Sequence, residues 1–140
     1  MSPVRIVLVD DNIADVKLLK MAFDERARNY QLEVLRSGED AMRFVEEHSK
    51  GGNRNDPCVI LLDLNLPQYD GLVVLKAIKD SPELANINVV VLSGFASPRQ
   101  REEIESLGAI YMQKPLELAD YFALGSKVID ICEGASAAAA

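Results

Sequence analysis

The sequence predicts an α/β domain in which a buried parallel sheet is wound on both faces by helices. Two observations carry this. Four short, nearly continuous apolar runs, RIVLV (5–9), CVILL (58–62), NVVVL (88–92) and AIYM (109–112), have strand length and lack the alternation of a half-solvated sheet, as parallel strands buried on both faces do. Between them lie segments with helical apolar spacing, and strict strand–helix alternation calls for parallel strands joined by right-handed crossovers. A further run, QLEVL (31–35), alternates Leu32 and Val34 with polar neighbours and reads as an edge strand, which completes five strand–helix units.

Each helix has a start signal or an apolar face. Asn12 can cap a first helix whose Ile13, Val16, Leu19 and Phe23 share one side. Ser37, with Asp40 three residues on, gives an approximate capping box for the second. In the third, Leu72, Leu75 and Ile78 fall together before Ser81-Pro82 stops it. Ser97 caps the fourth, Pro98 takes its first helical position and Gly108 lies past its end. The segment LELADYFALGSKVIDIC is the broadest apolar helix and closes the domain. Residues 49–57, SKGGNRNDP, form a polar connection longer than usual, read as solvated filler or as a partner-contacting insert. The domain is expected over residues 4–132, with 133–140 a frayed tail or an appended remnant that poly-alanine could turn into more helix.

A chain of 140 residues suits one compact domain, and it can bury roughly 68–70% of its unfolded surface without disulfide staples. The net charge of −7 argues against gripping a phosphate backbone, since counterion release rewards a basic surface. Apolar runs stay far below the ~20 residues of a membrane span, and no export signal is read at the N-terminus, so a cytoplasmic location is expected. Cys58 and Cys132 lack metal-type spacing and are expected as small core hydrophobes. The single histidine, His48, borders the polar connection and is expected in solvent; one histidine also deprives triad and histidine-rich metal chemistry of most parts.

In a doubly wound sheet, ligands bind beyond the carboxyl ends of the strands, where strand order reverses. Those ends carry Asp10-Asp11, Asp63, Ser93-Gly94 and Lys114-Pro115. Three carboxylates in one crevice attract a hard, oxygen-loving cation, and Mg²⁺ fits better than zinc. Such an ion makes the acidic doublet tolerable. With Lys114 it also offsets the repulsion that the Asp63 carboxylate would meet in attacking a phosphoryl group. The Ser93 hydroxyl can donate to a phosphoryl oxygen. Singly, each residue has a plainer role: Asp10 and Asp11 as macrodipole partners, Asp63 as a loop cap, Lys114 as a surface lysine. Their shared edge is what the plainer roles do not require.

The segments VDDN, LLDLNLPQYDG, LSG and LGAIYMQKP, in this order and spacing, resemble the receiver domain of two-component response regulators across residues 4–132. VILLDLNLP and the long connection before it are similar to the stand-alone regulators paired with bacterial phytochromes. The resemblance implies a flavodoxin-like receiver fold, strand order 2-1-3-4-5 with five helices. It implies Asp63 as phosphoacceptor, Asp10 and Asp11 as the acidic pocket, and Mg²⁺ held by Asp11, Asp63 and the main-chain carbonyl of Asn65. Ser93 and Lys114 would contact the phosphoryl group, Tyr111 would be the aromatic switch, and Lys114-Pro115 would be a cis bond. The plainer role for Tyr111 is packing on its strand with the hydroxyl at the surface; its spacing from Lys114 favours the switch. Phe95 replaces a commonly polar residue and leaves the phosphoryl lifetime open.

The function so implied is a single-domain response regulator rather than an enzyme acting on other molecules. A sensor histidine kinase or histidine phosphotransfer protein donates the phosphoryl group, the domain supports its own transfer and autodephosphorylation, and output passes to a downstream protein. The fourth helix, fifth strand and fifth helix would form the switching surface and a homodimer face. Three rivals fit less well. A dehalogenase-like phosphatase would want Asp-x-Asp on the first strand and a cap insertion. A flavodoxin-like electron carrier would find DDNIAD repelling its FMN phosphate, and a receiver-like module without phosphorylation would not need the complete pocket.

Overall fold

The computed structural model describes residues 4–27, 29–49 and 57–139, with the side chains of Ser49 and of residues beyond Gly134 left out. The element order is β1 (Val4–Val9), α1 (Ile13–Arg26), β2 (Tyr30–Leu35), α2 (Gly38–Ser49), β3 (Val59–Asp63), β4 (Asn65–Leu66), β5 (Tyr69–Asp70), α3 (Gly71–Asp80), β6 (Asn88–Ser93), α4 (Pro98–Ser106), β7 (Ile110–Gln113) and α5 (Leu118–Ala139). Five strands form a parallel sheet in the order β2-β1-β3-β6-β7, which is the expected 2-1-3-4-5 when the sheet strands alone are counted. The structure adds an antiparallel hairpin, β4–β5, whose turn holds Gln68 at φ 62° after Pro67. Two-residue strands are too short for their sequence to show a strand period.

Strand side chains alternate between two cores. Val7, Val9, Ile60, Leu62, Val89 and Val91 pack with α2, α3 and α4 through Phe44, Leu75, Ile78 and Ile104. Their neighbours Ile6, Leu8, Val59, Leu61, Val90 and Leu92 pack with α1 and α5 through Leu19, Phe23, Leu124, Val128 and Ile129. Period two on the strands thus feeds two helix layers, and continuous apolar runs are what a sheet covered on both sides needs.

The helix starts are built as the caps predict. Asn12 Oδ1 accepts from the amides of Ala14 and Asp15 at 2.9 and 3.2 Å. Ser37 Oγ accepts from Asp40 N at 3.0 Å. Ser97 and Gln100 complete a reciprocal capping box, and Gly108 closes α4 at φ 79°.

Five expectations need correction. The AIYM run forms an edge strand: Ile110 is exposed and Tyr111 and Met112 half-buried, because α4 and α5 flank β7 without a further strand beside it. Ile13 is exposed, since the first turn of α1 projects past the sheet end and only Leu19, Ala22 and Phe23 bury. His48 is buried and stacks on Phe44 with 4.1 Å between ring centroids. Cys58 and Cys132 form a disulfide across 74 residues, joining the segment that enters β3 to α5. Sequence separation alone says nothing about two residues that the fold brings together at the sheet's lower end. The described residues hold no cis peptide bond, so Lys114-Pro115 is trans. Residues 50–56 of the long connection, and Ala140, lie outside the described residues. None of the described helices is long and apolar enough to cross a membrane.

Gly71, first residue of α3, has the tightest backbone surroundings near the sheet's carboxyl edge. A Cβ there would lie 2.7 Å from the Leu64 carbonyl oxygen and 2.9 Å from that of Asp63. Main-chain atoms cannot step aside as a flexible side chain would. Gly71→Ala is expected to cost about 1–3 kcal/mol of stability by overpacking, read as a lower urea midpoint with an unchanged slope.

Candidate functional site

The strand order turns back between β1 and β3, and the crevice at their carboxyl ends collects the polar residues. Asp10 follows β1 and is fully buried, Asp63 is the last residue of β3 and 3% exposed, and Ser93 ends β6 fully buried. Lys114 follows β7, its amide held by the Ser93 carbonyl at 2.8 Å.

Each buried carboxylate braces its own loop with one oxygen. Asp10 Oδ1 accepts from Asn12 N at 2.9 Å, and Asp63 Oδ1 accepts from Asn65 N at 2.9 Å. These local turns fix where the second oxygens point. Asp63 Oδ2 accepts from Lys114 Nζ at 3.0 Å, whereas Asp10 Oδ2 has no hydrogen-bond partner among the described residues. One oxygen each from Asp10, Asp11 and Asp63 lies within 4.8 Å of the others.

The electrostatics follow from this crowding. Burial, opposed by the Asn12 amide and Lys114 and reinforced by Asp63 and Asp15, raises Asp10 from 3.8 to about 6. For Lys114, burial alone would lower the pKa; hydrogen bonds to Asp15 and Asp63, and the charges of Asp63 and Asp10, outweigh it and raise it. Asp10 Oδ2, buried without a hydrogen bond, has only the Lys114 ammonium at 3.5 Å to offset its charge, and that one lysine is shared with Asp15 and Asp63, so the crowded carboxylates are incompletely compensated. The donor set is all oxygen, so the residues fit a hard divalent ion, with Asp10, Asp11 and Asp63 able to hold it.

The structure also brings in residues that sequence reasoning missed. Asp15, on the first turn of α1, pairs with Lys114 at 2.7 Å and accepts from the Tyr121 hydroxyl at 2.8 Å. In sequence it looks like any acid favoured at a helix start. Ser93 Oγ donates to the Phe95 carbonyl at 2.6 Å and accepts from Asn65 Nδ2 at 3.2 Å. Tyr111 donates to the Ser93 carbonyl at 3.2 Å, and the Arg101 guanidinium sits 4.8 Å above its ring. No spacing rule links Arg101 on α4 to Tyr111 on β7; only the helix–strand packing does.

Fold and site together define a class: a doubly wound parallel α/β domain whose switch-point crevice carries three clustered carboxylates facing one lysine. The response regulator receiver domain model matches residues 6–124, and the chain belongs to that family. It is 37% identical over 123 residues to the response regulator Rcp1 of Synechocystis sp., covering 86% of this chain and 82% of that protein. It is 32% identical to the polar-differentiation response regulator DivK of Brucella anthropi, covering 83% and 88%. Among solved structures, the phosphorylated cyanobacterial phytochrome response regulator RcpA superposes with a TM-score of 0.81 at 32% identity, covering 93% of each chain. The Mn²⁺-bound form of Rcp1 gives 0.79 at 34% identity, covering 91% of this chain and 93% of that one.

Proposed function

We propose that this chain is a single-domain response regulator that takes a phosphoryl group onto Asp63 from a phosphohistidine of a sensor kinase or phosphotransfer protein. The observation that carries the reading is Asp63 Oδ2, at a buried strand end, facing Lys114 at 3.0 Å beside two further carboxylates. The phosphorylated RcpA and Mn²⁺-bound Rcp1 structures support it by likeness. Mg²⁺ is the ion we assign to Asp10, Asp11, Asp63 and the Asn65 carbonyl; when bound it neutralises charge on the phosphoryl oxygens.

A carboxylate oxygen of Asp63 attacks phosphorus, the P–N bond to the donor imidazole breaks, and its electron pair returns to the ring nitrogen, which takes up a proton. Lys114 neutralises one phosphoryl oxygen and Ser93 donates to another. Water later cleaves the acyl phosphate, returning the carboxylate and inorganic phosphate. Ser93, drawn to the phosphoryl group, vacates space into which Tyr111, whose hydroxyl rests on the Ser93 carbonyl, can rotate. A phosphoryl group that binds one arrangement better shifts the population toward it.

Donor access is from the carboxyl edge, where Ile13, Phe95 and Leu116 expose apolar surface around the crevice. Output is assigned to a downstream protein, and a homodimer if formed, on the face of α4, β7 and α5. There a groove is lined by Tyr111, Gln113, Pro115, Leu116 and Lys127. The setting this reading implies is cytoplasmic.

The test is incubation with acetyl phosphate, or a phosphorylated histidine phosphotransfer protein, and Mg²⁺. Intact mass should rise by one phosphoryl group, hydroxylamine should remove it as an acyl phosphate, and a chelator should prevent it. No adduct with any donor would end the proposal.

A further inference from the structure

Four carboxylates, those of Asp10, Asp11, Asp15 and Asp63, are gathered in and around the crevice, and Lys114 is the cation paired with three of them. The shortest of its contacts is neither to the metal-site acid Asp10, at 3.5 Å, nor to Asp63, at 3.0 Å, but to Asp15, at 2.7 Å. Asp15 is held there from two sides. Its amide is fixed by the Asn12 cap at 3.2 Å, and its Oδ1 accepts from Tyr121 on α5 at 2.8 Å, leaving Oδ2 for the lysine. Its side chain is 15% exposed and that of Lys114 21%, so water screens the pair only in part.

Charge decides what this arrangement does. Metal binding and phosphoryl binding ask opposite things of the crevice: a divalent cation wants more negative charge, and a phosphoryl group wants less. A fixed carboxylate on Lys114, outside the triad of metal-site acids, adds attraction for the cation and subtracts attraction for the anion. It also occupies one of three ammonium protons, while Asp63 takes another.

On the reading of Asp63 as phosphoacceptor, we propose that Asp15 is a positioning residue that shares Lys114 with the phosphoryl site and so restrains phosphoryl capture while favouring the cation. Asp15 acts through the lysine and need not touch the phosphoryl group. Removing its charge frees Lys114 to meet the incoming group more fully. It also leaves the ammonium's charge less compensated, which repels a divalent ion.

The experiment is calorimetry on the intact chain and its Asp15→Asn and Asp15→Glu variants. Mg²⁺ is titrated alone, and beryllofluoride, a tetrahedral mimic of an aspartyl phosphate, is titrated at saturating Mg²⁺. Asp15→Asn should bind beryllofluoride about fivefold or more tightly and Mg²⁺ alone about threefold more weakly, as expected for losing one partly screened charge. Asp15→Glu, which keeps the charge, should stay within about twofold of the parent in both titrations. A structural defect would weaken both affinities together, and that outcome overturns the proposal. So does unchanged or weaker beryllofluoride binding by Asp15→Asn, or an Asp15→Glu variant that behaves like Asp15→Asn. A parent protein that binds Mg²⁺ but no beryllofluoride would instead remove the phosphoacceptor reading itself.

Discussion

An Asp63→Asn chain should gain no phosphoryl mass from any donor while keeping its fold. Asparagine is nearly the same size and retains a carbonyl oxygen for the Asn65 amide, which Asp63 Oδ1 now accepts at 2.9 Å. What it lacks is the anionic oxygen opposite Lys114. An amide is a poor nucleophile toward phosphorus, and the variant no longer places an anionic oxygen at the end of β3 opposite Lys114. Because Lys114 keeps its 2.7 Å pair with Asp15, the thermal melt should change little. Circular dichroism and intact mass on the same sample check both halves. A mass gain by the variant as fast and as complete as the parent's would show that Asp63 is not the acceptor.

Asp10→Asn, unlike Asp63→Asn, should shift stability: with metal removed, it should make the protein more stable near neutral pH. Burial raises Asp10 from 3.8 to about 6 in the folded chain. A carboxyl that binds its proton more tightly when folded stabilises fully below its unfolded value and loses that contribution as pH climbs through its folded one. For this residue the loss falls between about pH 4 and pH 6 and amounts to about 3 kcal/mol. Asparagine, never charged, should skip it. A divalent ion bound by Asp10, Asp11 and Asp63 should supply the compensation in the parent, about 2.7 kcal/mol at a hundred times Kd, and the variant should lose most of this response. Urea denaturation from pH 4 to 8, with chelator and then with Mg²⁺, gives the difference curve. Parallel curves for parent and variant would show that Asp10 carries no such penalty.

Much of this was legible in the sequence because strong, local signals carried it. The apolar runs of β1, β3 and β6 could be little else than covered strands, and the caps Asn12 and Ser97 state their helices' starts within three residues. Asp10, Asp11, Asp63, Ser93 and Lys114 were legible as a group because strand ends in a parallel sheet share an edge. What stayed hidden depends on contacts between distant elements. Asp15 and Tyr121 meet across 106 residues, Cys58 and Cys132 across 74, and Arg101 reaches Tyr111 only through the packing of α4 on β7. His48 was misread for a related reason: a polar side chain beside a polar connection can still turn inward when an aromatic ring one helical turn back receives it.

The hydroxyl of Ser93 is already spoken for. It has a single proton, and that proton lies on the Phe95 carbonyl at 2.6 Å, while Asn65 and the Phe95 amide donate to its oxygen. Reaching toward a new anion therefore means letting go of the Gly94–Phe95 bend. The first backbone to feel an event at Asp63 would be the turn that carries the exposed Phe95 ring, ahead of any helix. A message written at a buried acid would then surface first as the displacement of a single aromatic side chain at the rim.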